Sequence, residues 1–147
     1  MAGGIQADLK VGDLVVCDRA LRDEGTSYHY LPPGDYVTAN PDLVNALAAT
    51  LSTQGQAAQT GATWTTDATF RETDLEVAHY QSEGIKTVEM ESAALFAVAQ
   101  VRAAEAASVF VVGDSLAGSV WQPPGDLRLL DKSFELAYDA AIEVLKS

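Results

Sequence analysis

Three acids stand directly after short β-branched runs of the sequence. Glu89 and Glu91 follow residues 85–88 (IKTV), and Asp114 follows residues 107–112 (ASVFVV) and Gly113. A carboxylate at the carboxyl end of a strand can accept two hydrogen bonds from the vicinal diol of a sugar, because its two oxygens carry enough lone pairs for both hydroxyls. Met90, between the glutamates, can lie against the apolar face of such a ring. Asp114 comes after five small or apolar residues and so belongs at the rim of a core, where partial desolvation suits a carboxyl to hold and donate a proton. A plainer reading stays open for all three: acids in the first turn of a helix complement its dipole, and aspartate caps turns. Acids from neighbouring strand ends also suggest a metal, but no third ligand with sensible spacing accompanies them, so no metal is expected.

Other groups carry weaker signals. The segment 65–71 (TTDATFR) combines hydroxyls with an aromatic; Thr69 and Phe70 could border and stack a planar base, or the loop could be structural. Gly3 and Gly4 would let backbone approach a phosphate. His29 sits between Tyr28 and Tyr30 with no nucleophile beside it, which argues against a Ser/His/Asp triad. The tetrapeptide Gly113-Asp114-Ser115-Leu116 matches the GDSL esterase motif by letters only; it lies late in the chain and no histidine follows it. Cys17, in the apolar run 14–17, reads as a buried, inert thiol, and a lone cysteine excludes an internal disulfide.

The elements that must position these groups follow from pattern. Residues 13–18 (DLVVCD) read as a buried strand, and 19–37 as a polar, aromatic, Pro/Gly-rich excursion. Asn40-Pro41 is an N-cap followed by a first-turn proline, opening a helix to about residue 53. A strand is expected over 57–66, an amphipathic helix over 72–83, a short strand over 85–88, a buried helix over 91–104, a strand over 107–112 and a closing amphipathic helix over 129–146. Strands alternating with helices predict an α/β chain of three layers, a mixed and mostly parallel sheet flanked by helices. The strands at 85–88 and 107–112 enclose one helix, so a parallel βαβ pair is expected, with Glu89, Glu91 and Asp114 together beyond its carboxyl ends.

Length and charge bound the partners. The 147 residues fit a single domain, 1–147. Nine Lys and Arg stand against 21 Asp and Glu, a net charge of −12. Such a surface disfavours nucleic acid and anionic membrane. The N-terminus has neither a basic start nor an apolar core typical of a signal peptide, so a cytoplasmic protein is expected.

The blocks AGGIQADLKVGDLVV (2–16), ALRDEGTSYHYLPPG (20–34), TGATWTTDATFRET (60–73), TVEMESAALFAVA (87–99) and ASVFVVGDSL (107–116) together resemble the nucleoside phosphorylase family. This purine nucleoside/uridine phosphorylase superfamily also contains methylthioadenosine-type nucleosidases and AMP nucleosidase. The resemblance implies a pentosyltransferase of nucleoside metabolism, with inorganic phosphate as co-substrate and no cofactor. By it, Glu91 holds the ribose 2′- and 3′-hydroxyls, Met90 packs on the sugar, and Val88, Glu89, Thr69 and Phe70 line the base pocket. Asp114 protonates or hydrogen-bonds a purine ring nitrogen, and Gly3 and Gly4 approach phosphate. Uridine-specific members typically lack an acid at that place, which tilts the expectation toward purines.

Members of the family also carry a segment ahead of the AGG block, which supplies their first strands, Gly-rich and Arg phosphate contacts, and a His that reaches a neighbouring subunit's site. The chain is therefore expected to hold the ribose and base half of a site and to lack those N-terminal strands. Weak phosphorolysis, hydrolysis by water, or nucleoside binding without turnover are all consistent with that half-site. Sheet edges and apolar surface left uncovered would favour a homo-oligomer.

Overall fold

The N-terminal residues Ala2-Gly3-Gly4 form a strand, β1 (Ala2–Gly4), that no alternation in the sequence announces. The structure, a computed structural model, describes residues 1–118, 121–123 and 127–146. In it β2 (Leu14–Asp23) runs well past the residues expected of it, and β3 (Tyr36–Thr38) follows. Then come α1 (Pro41–Thr53), β4 (Ala58–Thr66), α2 (Asp74–Ser82), β5 (Thr87–Glu89), α3 (Ser92–Val101), β6 (Ser108–Ser115) and α4 (Leu127–Lys146).

The extension of β2 has a physical cause. Arg22 is buried, and its guanidinium is spent on the following loop: Nε donates to Ser27 Oγ (2.8 Å) and Nη1 to the carbonyl of Pro32 (2.8 Å). The Glu24 carboxylate accepts from the backbone N–H groups of Thr26 and Ser27. The polar residues of the 19–37 excursion thus form a small polar core that binds the loop back onto the strand, as buried polar groups require.

Sheet order is β3-β2-β4-β5-β1-β6, and β2 also pairs with β6, so five strands close into a barrel with β3 attached outside the ring. Leu14–Cys17 of β2 pair with β6 and Arg19–Leu21 with β3, while the register against β4 shifts between Cys17 and Arg19. Such a bulge bends a strand and lets one edge serve two partners in turn. Pairing is parallel in β2–β4, β4–β5 and β1–β6 and antiparallel in β1–β5, β2–β3 and β2–β6. The expected mixed sheet flanked by helices is present, but the open three-layer arrangement is corrected: the sheet closes on itself through β2 and β6 into a barrel-like ring with helices around it.

The expected βαβ pair is also corrected. β1 lies between β5 and β6, antiparallel to the first and parallel to the second, so those two strands run in opposite directions. Two strands flanking a helix imply parallel pairing only when no third strand enters between them. Here the first residues of the chain do so.

The helices coat the barrel. Val44, Leu47 and Leu51 of α1, Ala93, Phe96 and Ala97 of α3, and Leu130, Ala137 and Ala140 of α4 join Leu14, Val16 and Val111 in the largest core cluster. Val77 of α2 packs with Ile5, Trp64, Ile85 and Val88 in a second cluster. Two helix faces differ from expectation. Leu95 and Val101 of α3 are half exposed, so that helix is not buried all round. On α4 the small residues Ala137 and Ala140 face the core, whereas Tyr138 and Leu145 are exposed. Helix α2 starts at Asp74 rather than residue 72 because Thr73 and Glu76 form a capping box, which satisfies two free N–H groups reciprocally. Cys17 is fully buried, and burial pushes its thiol up to about 12, as expected of an inert core cysteine.

Candidate active site

Across the barrel wall, Gly3 faces Val88 of β5 on one side and Asp114 of β6 on the other. A Cβ on Gly3 would lie 2.8 Å from Leu116 Cδ1, 2.9 Å from Asp114 Oδ1 and 3.1 Å from Val88 Cγ1. The missing side chain is what allows these three groups to converge above β1. Gly3 and Gly4 are buried and paired on both edges. At Gly3 the close neighbours are the Leu116 and Asp114 side chains, and at Gly4 they are Val112 and Leu9.

Above this floor opens a cavity of about 450 Å³ lined by Thr69, Phe70, Glu72, Asp114, Leu116 and Trp121. Thr69 and Phe70 come from a 3-10 turn, Thr69–Arg71, that follows β4. Phe70 is almost wholly exposed at 99% and stands at the rim. Asp114 Oδ2 accepts a hydrogen bond of 2.7 Å from the indole Nε1–H of Trp121. Thr69, Phe70 and Asp114 are thus brought together as the sequence suggests, with Val88 beneath them.

The other expected groups lie apart from this lining. Glu89 is buried, and both its oxygens are engaged. Oε1 accepts from Thr65 Oγ1 (2.5 Å), and Oε2 accepts from the backbone N–H groups of Glu91 (2.9 Å) and Ser92 (2.8 Å). It therefore caps the start of α3 from two residues before the cap position, the dipole role kept open for these acids. With the turn pinned in this way, Met90 is 43% exposed and Glu91 is exposed at the N-cap of α3. Neither lines the cavity.

Glu72 and Trp121 are site residues that the sequence did not announce. Glu72 stands just outside the TTDATFR segment, and Trp121 is the one large aromatic in the segment after β6; each enters the cavity only through the tertiary fold. Burial pushes the Glu72 carboxyl above its ordinary value of 4.5, and the nearby negative charge of Asp114 adds to this, while a hydrogen bond with Thr69 opposes it. The cavity thus holds a second carboxyl group beside Asp114, one whose burial favours its protonated form.

A carboxyl raised on folding favours the folded state only while it is protonated. The Glu72 contribution to stability should therefore be complete below about pH 4.5 and be lost as the pH rises through the folded-state value. Replacing Glu72 by glutamine should remove that decline, so melting curves of the two proteins are expected to diverge above pH 4.5 and coincide below it. Curves that stay parallel across that range would contradict the assignment. Among the described residues no group of three His, Cys, Asp or Glu is placed to hold a metal, and no helix is long and apolar enough to cross a membrane.

Comparison with known proteins agrees with this architecture. The guanosine phosphorylase of Halorubrum lacusprofundi is 29% identical over 132 residues, covering 89% of this chain and 55% of that protein. A DeoD-type purine nucleoside phosphorylase of Bacillus cereus is 30% identical over 143 residues, 96% of this chain and 61% of that protein. Among solved structures, the P knowlesi homologue of P falciparum PNP superposes with a TM-score of 0.81 at 19% identity, over 99% of this chain and 60% of that one. The chain thus spans somewhat over half the length of the relatives it matches. A profile of the phosphorylase superfamily matches residues 1–146, and with the fold shared as well, the chain belongs to that superfamily.

Proposed function

We propose that the chain recognises a nucleoside by its base, a purine in preference to uracil, and serves cleavage of the N-glycosidic bond in nucleoside metabolism. The observation that carries this reading is the cavity itself: an aspartate and an aromatic turn meet over a glycine floor in a chain of this superfamily. A planar base fits between Phe70 at the rim and the floor above Val88, with Asp114 accepting or donating a hydrogen bond at a ring nitrogen. Such a contact strengthens as charge develops on the leaving base, which is how an acid contributes to the transition state rather than to binding alone. Glu91 would hold the ribose diol and Met90 its apolar face from the N-terminus of α3, a placement supported by their exposure to solvent.

Phosphate is the expected co-substrate, with no cofactor. Two carboxyl groups border the cavity, and the protein carries −12 overall. Both oppose a phosphate dianion, while positioning and fixed charge of the kind phosphorolysis needs can be worth roughly 7–11 kcal/mol. The chain alone is therefore expected to turn over nucleosides weakly. Its exposed Phe70 and Leu75 support a homo-oligomer, and a cytoplasmic setting is part of the same reading.

Inosine, guanosine, adenosine and uridine, assayed with and without phosphate alongside calorimetry, test the reading. Purine nucleosides should bind, uridine less well, and Asp114→Ala should weaken purine binding at least tenfold, the scale of a hydrogen bond to a charged group. Free ribose released without phosphate would establish hydrolysis; binding without turnover would establish a binding module. Absence of nucleoside binding would sink the proposal, and brisk phosphate-dependent turnover would sink the expectation of weak phosphorolysis.

A further inference from the structure

The geometry points to Trp121 as the positioning residue of Asp114, an assignment that rests on the base-recognition reading above. The carboxylate is held through one oxygen, Oδ2, which accepts the indole N–H at 2.7 Å, while Oδ1 lies over Gly3, 2.9 Å from where a Cβ there would stand. An indole N–H only donates, so it fixes Oδ2 as an acceptor, and the carboxylate keeps its remaining lone pairs for a ligand. That hydrogen bond restricts rotation of the group about its terminal bond.

Trp121 is not held there by burial, since 56% of it is exposed. It is held by backbone: the N–H of Ser115 donates to the carbonyl of Gln122 (3.0 Å) and the N–H of Gln122 to that of Ser115 (2.9 Å). This isolated bridge ties the residue after Trp121 to the residue after Asp114, so acid and indole are joined through the backbone as well as through their hydrogen bond. The indole also shares the cavity lining with Phe70, giving a planar ligand two aromatic faces to meet. Its hydrogen bond, more than this apolar surface, sets how well Asp114 meets a base.

A double-mutant cycle on the full chain separates the two contributions, with hypoxanthine as the probe and affinity read by calorimetry. Trp121→Phe keeps a ring and removes the donor; it should weaken binding about tenfold. In an Asp114→Ala background the same substitution should change affinity less than twofold, since the group it positions is gone. Equal losses in both backgrounds, or no loss in either, would overturn the assignment while leaving the role of Asp114 intact. If Asp114→Ala itself binds hypoxanthine as tightly as the unaltered chain, the base-recognition reading fails and this assignment falls with it.

Discussion

Replacing Glu89 by alanine is expected to lower the melting temperature by roughly 10 °C and to abolish ordered presentation of Glu91. The change removes acceptors for three donors at once: the Thr65 hydroxyl and the N–H groups of Glu91 and Ser92. Thr65 is itself buried, and its Oγ1 also accepts from the N–H of Ala93, so the loss spreads from β4 into the first turn of α3. Donors left without partners in a buried setting cost about 1–3 kcal/mol each before relaxation, and water entering the cavity made by the truncation recovers part of this. A net loss of about 3 kcal/mol is expected, which for a domain of this size is roughly 10 °C. Glu89→Gln keeps one acceptor oxygen and should fall between the two. Thermal melts together with nucleoside titration check this. If Glu89→Ala melts like the parent but loses base binding, Glu89 touches ligand and its capping role is wrong.

Gly3→Ala should do the reverse, harming the site far more than the fold. The added methyl would press on Leu116 Cδ1, Asp114 Oδ1 and Val88 Cγ1, all nearer than an ordinary van der Waals contact. Leu116 and Asp114 are only partly buried and can yield into the cavity, so the strain is relieved by displacing the acid. Overpacking of this kind costs about 1–3 kcal/mol, and the lower backbone entropy of alanine in the unfolded chain returns about 0.4–1 kcal/mol of it. Base affinity, which depends on where the carboxylate sits, should drop at least tenfold. Calorimetry and a melt on the same preparation decide it: unchanged affinity would mean that Asp114 can move without consequence.

Local signals carried a good part of this fold in the sequence. Asn40 and Pro41 define the start of α1, and the Asn40 side chain indeed accepts from the N–H groups of Asp42 and Leu43. The strand after that helix and the apolar run at β6 were equally plain. Non-local features were not. Ala2-Gly3-Gly4 has no β-propensity of its own, and it becomes a strand only because β5 and β6 supply a ladder on each side; without it the sheet looks open and parallel. The polar loop after Asp23 looked like an excursion because its buried partner, Arg22, reads as a surface residue by type. At the site, the resemblance directed attention to Asp114, Thr69 and Phe70, which do meet. Glu72 and Trp121 approach them from segments whose spacing says nothing about the cavity, and Glu89 was legible as an acid but not as a cap.

The insertion of β1 between two strands from the later half of the chain has a consequence for how the molecule is assembled. Gly3 must wait for Val88 and Asp114 before it has neighbours on either side, a closure spanning more than a hundred residues and so among the slowest to search for. A strand that pairs only with such distant partners is expected to be seated late, as a keystone is. Until β1 is seated, the floor under Asp114 does not exist, so any ligand that rests on this floor favours the finished ring by mass action.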